Sequence, residues 1–198
     1  MLNKFFKIIK KGIWLSIGQV GMAAIQFILL PVYTRILVPN DFGILELMTV
    51  YSSILCLIII FGVRQGFTKN YLLKEEKIDK TQELKTQSEI VITAISFIVF
   101  WGLFLIACLS TFSETISNIL FKDSTRSNLI VLSSFWALGL AMCQMYHAYL
   151  INNQKLKIYV SLTILQVVTN LSLSIFLVVI KKGGIESVIF SNTISNFL

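Results

Sequence analysis

Charge is scarce in this sequence. Only 14% of its 198 residues are Asp, Glu, Lys or Arg, while 56% are hydrophobic and the mean hydropathy is +0.80. A soluble domain could not cover that much apolar surface with so few polar side chains; a lipid setting removes the need. Proline is rarer still, at two, and glycine stands at ten, which excludes a collagen-like or low-complexity chain. Only three cysteines occur, Cys56, Cys108 and Cys143, each inside an apolar run at spacings that fit no zinc site or disulfide framework. They read as small buried hydrophobes. The net charge of +7 raises nucleic-acid binding, but the basic residues lie in short pieces between apolar runs and form no soluble basic face. Nucleic acid is excluded as a partner, and the bilayer takes its place.

What is present is a series of apolar runs, near 13–33, 42–63, 90–109, 129–151, 159–180 and 184–198. The first five are close to the roughly 20 residues that cross a bilayer as a helix. The sixth is still apolar at Leu198 but too short to span with ease, so the expectation is a chain cut inside its sixth helix. The predicted fold is an all-α polytopic transmembrane bundle, five full spans plus a truncated sixth, in one transmembrane domain over 1–198. Met1 to Gly12 sets Lys4, Lys7, Lys10 and Lys11 among Phe5, Phe6, Ile8 and Ile9. The run after it is too long for a signal peptide and lacks a small-residue cleavage site, so this piece reads as an interfacial anchor. With a cytoplasmic N-terminus, twelve of the 17 basic residues fall inside: those four, six between Arg64 and Lys85, and Lys155 and Lys157. Arg35, Lys122, Arg126, Lys181 and Lys182 fall outside, a bias that supports this orientation at the plasma membrane.

Between the first two runs lies a polar hinge from Tyr33 to Gly43, which folds them into an antiparallel hairpin. Pro39 disfavours helix at Val38, and Asn40 or Asp41 is expected to cap the next helix. Asp79 or Thr81 is expected to cap the third span. The spacing of Phe112, Ile116, Ile119 and Leu120 predicts a short helix on the outer interface. The turn from Lys181 to Gly184 supplies a helix stop.

Polar residues within spans are costly, so they carry the functional evidence. Gln19, Gln26 and Tyr33 are spaced by seven and share a helix face. Glu46, Thr49, Ser53 and Cys56 form a stripe on the second run; Gln144 and His147 lie on the fourth, and Thr163, Gln166 and Asn170 on the fifth. Two readings stand for Gln19, Gln26, Gln166 and Asn170: hydrogen bonds between helices, or the lining of a wet cavity for a polar substrate. Glu46, near the outer end, is either an interface carboxylate paired with Arg35 or a cavity carboxylate for a cation or sugar hydroxyls. Arg64 closes the inner end of the second run, as a topology marker or as a clamp for phosphate. The lone His147 reads as a structural hydrogen-bonding group more readily than as a proton relay. No paired aspartates, phosphate-binding glycine loop or nucleophile beside a base is present, so no enzyme, catalytic residue, metal or cofactor is expected.

Three segments together resemble one family. Ile28 to Gly43 looks like the first hairpin of bacterial polysaccharide and O-antigen flippases, of the multidrug/oligosaccharidyl-lipid/polysaccharide exporter superfamily. Phe61 to Tyr71 is similar to the family's segment after the second span, with Lys69 where the family usually has an arginine. Tyr149 to Tyr159 resembles its loop between the fourth and fifth helices. The resemblance implies two six-helix lobes around a central cavity, working by alternating access. Such proteins move polyprenyl-diphosphate-linked oligosaccharide from the inner to the outer leaflet. This chain would be the N-terminal lobe, in need of a C-terminal lobe or partner subunit. Arg64 and Arg35 would be candidates for anion contact, and Gln19, Gln26 and Asn170 for glycan hydroxyls. The alternatives are a cation-coupled drug antiporter using Glu46, a membrane-bound glycan enzyme with its catalytic residues beyond Leu198, and a truncated remnant without transport.

Overall fold

The computed structural model describes residues 12, 13, 16, 20, 27, 31, 34, 38–74, 80–123, 126–180 and 183–197. The isolated positions before Val38 are helical, and the Thr34 hydroxyl donates to the Pro31 carbonyl at 3.2 Å. Among the described residues the fold is entirely helical.

Helix α1, Pro39–Ile60, starts where the hinge predicts, but by a different device. Val38 is extended (φ −71°, ψ 150°), as a residue before proline must be, and Pro39 occupies the first helical turn. The Val38 carbonyl receives Asp41 N at 2.8 Å and Phe42 N at 3.2 Å. No side-chain cap forms, because Asn40 and Asp41 already lie inside the first turn, where Asp41 complements the helix dipole. The helix ends at Ile60. Phe61 (φ 37°) and Gly62 (φ 77°) are left-handed, and Phe61 N closes on Leu57 O at 3.1 Å. Glycine takes this conformation freely; Phe61 takes it at a cost. A separate helix α2, Val63–Lys74, then follows, so Arg64 stands on a new helix and does not close the second span.

Helix α3, Lys80–Thr111, has 32 residues, about 48 Å at 1.5 Å per residue. It extends the expected 90–109 span by a polar N-terminal stretch rich in Lys, Gln and Glu, all good helix formers. Thr81 lies within it, and Asp79 falls outside the described residues. The expected short helix is α4, Ser113–Phe121. It buries Ser113 and Ser117 against the bundle and leaves Phe112 and Ile119 exposed, Ile119 by 74%. Helices α5, Ser127–Asn152, and α6, Leu156–Ser174, form a hairpin joined by three residues, with Lys155 N closing on Leu150 O at 2.9 Å. Past Ser174 the helix widens into a π-helical turn, Ile175–Ile180, and α7, Gly184–Phe197, completes the fold. Gly184 enters α7 at φ 59°, so the predicted stop falls where it was expected.

Among the described residues, four helical segments are long and apolar enough to cross a membrane: Pro39–Ile60, Glu89–Thr111, Ser127–Asn152 and Leu156–Val178. Helix α5 is the axis of the bundle and touches every other helix. One apolar cluster gathers Ile44 and Met48 of α1, Ile130 and Trp136 of α5, Val178, and Ile189 of α7. A second joins Cys56 and Ile59 of α1, Phe67 of α2, Ile98 of α3, and Ala137, Ala141 and Met145 of α5. Small hydroxyl residues point inward, among them Ser52, Ser133, Ser134, Thr163, Ser191 and Thr193. Large apolar ones such as Leu57, Phe100, Leu165 and Phe176 point outward. That distribution suits lipid, where apolar burial gives helices little reason to associate and close packing of small residues does.

Gly139 shows how tight the approach is. A Cβ there would meet Asn196 Cβ at 3.1 Å and the Phe197 ring at 3.2 Å, whereas one at Gly43 would meet nothing within 4 Å. Gly139→Val is expected to lower stability in detergent by about 1–3 kcal/mol by overpacking the α5–α7 contact. Gly43→Val should stay within about 0.5 kcal/mol of the parent, since valine is no poorer than glycine at an exposed helix position. Denaturant unfolding of the two variants beside the parent chain checks both.

Candidate functional site

The functional candidates fall in three places. The first is the stretch that leaves α1. Because Phe61 and Gly62 turn the chain, α2 begins on a fresh axis, and Phe67, only 3% exposed, pins it into the second apolar cluster. Beside the buried Phe67, the residues Arg64, Gln65, Thr68 and Lys69 line an open cleft of about 510 Å³. Arg64 and Lys69 are exposed. The Thr68 hydroxyl donates to the Arg64 carbonyl at 3.0 Å, and Asn152 at the end of α5 donates to the same hydroxyl at 3.4 Å. Two cations beside the Gln65 amide, open to one side, give this cleft the chemistry of an anion site.

The second place is a polar seam running from α1 through α5 and α6 to α7. Gln144 Nε2 lies 3.6 Å from Cys56 Sγ. Cys143 Sγ lies 3.6 Å from His147 Nε2 and 3.6 Å from Gln166 Oε1. The His147 ring meets Tyr159 edge-on, with centroids 4.9 Å apart. Gln166 Nε2 donates to Asn196 Oδ1 at 2.7 Å. One turn further along α6, Asn170 Nδ2 donates to Asn192 Oδ1 at 2.7 Å and to Ser195 Oγ at 3.0 Å. Asn196 Nδ2 returns to the Asn192 carbonyl at 2.6 Å. The amides of Gln166 and Asn170 thus have partners on α7, as the interhelical reading requires. Reading the last run as merely apolar overlooked those partners, Asn192, Ser195 and Asn196. Their signal was the polar density of residues 191–196, which one helix turn gathers on a single face.

Glu46 marks the third place, exposed on α1. Its neighbours in the stripe are satisfied locally: Thr49 donates to the Leu45 carbonyl at 2.9 Å and Ser53 to the Thr49 carbonyl at 2.8 Å. Cys56 turns inward to Gln144. Gln19, Gln26, Tyr33 and Arg35 lie outside the described residues, and with them the expected Arg35–Glu46 pair. Among the described residues, no three His, Cys, Asp or Glu side chains converge as a metal site requires.

If Asn170 serves α6–α7 packing, Asn170→Leu should cost about 1–2 kcal/mol, given roughly 0.6 kcal/mol for an average interhelical hydrogen bond in a membrane. Asn192→Leu should cost a similar amount. The double variant should lose little beyond either single, a coupling that a double-mutant cycle in denaturant would measure.

No curated protein and no solved structure matches the chain. A family model described as "Polysaccharide biosynthesis protein" matches residues 8–198, a range that takes in every helix from α1 to α7. Members of that family are transporters rather than enzymes, with a lipid-linked substrate and a membrane setting. With four helices among its described residues long and apolar enough to cross a membrane, and that match over nearly its whole length, the chain belongs to the polysaccharide biosynthesis protein family.

Proposed function

We propose that this chain is the N-terminal lobe of a flippase that moves polyprenyl-diphosphate-linked oligosaccharide across the plasma membrane for polysaccharide or O-antigen synthesis. The observation that carries the reading is the open basic cleft formed by Arg64, Gln65, Thr68 and Lys69 where α1 gives way to α2. A diphosphate arriving from the cytoplasm needs cations at a membrane surface, in reach of water and of the lipid at once. The concentration of basic residues in the segments at that end, twelve of 17, supports the reading of a cytoplasmic N-terminus with the cleft on the same side. Lys69 then contributes a compact charge beside the planar guanidinium of Arg64.

In this reading Gln166 and Asn170 serve the lobe by fixing α6 to α7, and Gln19, Gln26 and Arg35 of the first run stay candidates for contact with the glycan. Glu46 belongs to the competing reading, a cation-coupled drug antiporter of the same superfamily. Its exposed position on α1 is what that reading rests on. A second lobe, covalent or as a separate subunit, would complete the cavity.

The test is translocation of a fluorescent lipid-linked oligosaccharide in everted vesicles that carry the full-length transporter. Arg64→Ala should reduce the rate by about tenfold or more, the scale of losing one charge-assisted hydrogen bond. Lys69→Ala should reduce it less, and Glu46→Gln should leave it within about twofold. Unchanged transport in Arg64→Ala would remove the cleft from the pathway. A rate that collapses in Glu46→Gln, together with dependence on a sodium or proton gradient, would favour the antiporter.

A further inference from the structure

The geometry points to Asn152 as a positioning residue for the anion cleft, acting through the hydroxyl of Thr68; this rests on the cleft reading above.

The inference starts from how α2 is set against the bundle. It follows two successive left-handed residues, Phe61 and Gly62, which set its direction but give it no helical continuity with α1. Gly66 N bonds to Gly62 O at 3.0 Å within its own first turn, which does not tie it to the bundle. Among the described residues its apolar ties are Phe67, buried in the second cluster, and Val63, one turn before it and packed against that cluster. Apolar packing along one stripe fixes the depth of a short helix more firmly than its rotation about its own axis. That rotation is what decides where Arg64 and Lys69 point.

The Asn152–Thr68 contact adds a polar restraint from α5. Thr68 lies one turn from Arg64 and donates its hydroxyl proton to the Arg64 carbonyl, so its oxygen is left as an acceptor. Asn152 Nδ2 fills that role from α5, at 3.4 Å. The chain of donors therefore runs from the bundle axis, through Thr68, to the backbone of Arg64. Asn152 is itself well held. It is the last residue of α5, and beyond it Asn153 N, Gln154 N and Lys155 N close onto the carbonyls of Tyr149, Ile151 and Leu150. The backbone that carries its amide is therefore a fixed point, and from it the side chain reaches α2. A hydrogen bond of this length is weak alone, and a long, weak bond suits an element that adjusts around a ligand.

Binding of inorganic pyrophosphate to the detergent-purified full-length transporter, followed by calorimetric titration, tests this directly. Arg64→Ala is the control for the cleft and should abolish measurable binding. Asn152→Ala and Thr68→Val should each weaken binding about three- to tenfold, the scale of one neutral hydrogen bond. The double variant should be no weaker than either single, since both remove one link. Thr68→Ser, which keeps the hydroxyl, should bind as the parent does, a rescue that a purely steric role for Thr68 would not produce. Helical circular dichroism and a single elution peak for each variant exclude misfolding, and the half-exposed Thr68 provides a test independent of the tolerance of Asn152. Full binding by Asn152→Ala and Thr68→Val, with binding lost in Arg64→Ala, overturns the positioning role while the cleft stands. Full binding by Arg64→Ala overturns the cleft and the positioning role with it.

Discussion

The bundle depends on how closely other helices approach α5. In water, burying apolar area would drive that approach. Between lipid tails it does not, and dispersion contacts and hydrogen bonds between helices have to suffice. Residues 133–141 of α5 answer this constraint with Ser133, Ser134, Ala137, Gly139 and Ala141, which keep its surface low. Ser52 of α1 reaches the Ser133 carbonyl at 3.0 Å, and Tyr51 meets the Ser134 hydroxyl at 2.9 Å. Because Ser134 already donates to the Ile130 carbonyl, Tyr51 is the donor of that pair. From α3, Gly102 lets Leu138 and Ile59 close in, and α7 lies over Gly139. Large side chains at these points would push the helices apart, and no hydrophobic gain would offset the loss.

Hydroxyl groups can be buried at this density because most are satisfied within their own helix. Thr163 donates to the Tyr159 carbonyl, Ser191 to that of Ser187 and Thr193 to that of Ile189, each near 2.8–2.9 Å. Ser133 and Ser174 differ. Their hydroxyls are buried without a partner, that of Ser174 at the point where α6 widens into a π-helical turn. Amides are longer and cannot turn back so easily, which is why Gln166 and Asn170 reach across to α7. The division of labour is by side-chain length: hydroxyls make small internal closures, amides make ties between helices.

The same logic separates the basic cleft from the bundle. Arginine and lysine cannot be enclosed among α1, α3 and α5 without heavy cost, so they are carried on a short helix that leaves the bundle at Phe61 and Gly62. Among the described residues, Phe67 and Val63 hold that helix to the core. The left-handed break makes this possible, since a continuous α1 would carry Arg64 on along its own axis.

Hydropathy runs, their lengths and the uneven spread of 17 basic residues were enough to establish a multi-helix membrane protein, because those properties belong to single segments in contact with lipid. Pro39 located the start of α1 for the same reason: the constraint is local to Val38 and Pro39. The short helix at Ser113–Phe121 and the stop at Gly184 were also legible, each from a few adjacent residues. Tertiary structure decided the rest. The sequence offered Gln166 and Asn170 equally as packing amides or cavity lining; only the position of α7 supplies Asn196, Asn192 and Ser195 as partners. Arg64 read as the end of a span until the paired left-handed residues put it on a helix of its own, over an open cleft. Which helices meet, and at what rotation, follows from matching surfaces between segments far apart in the chain, a property that no single run contains.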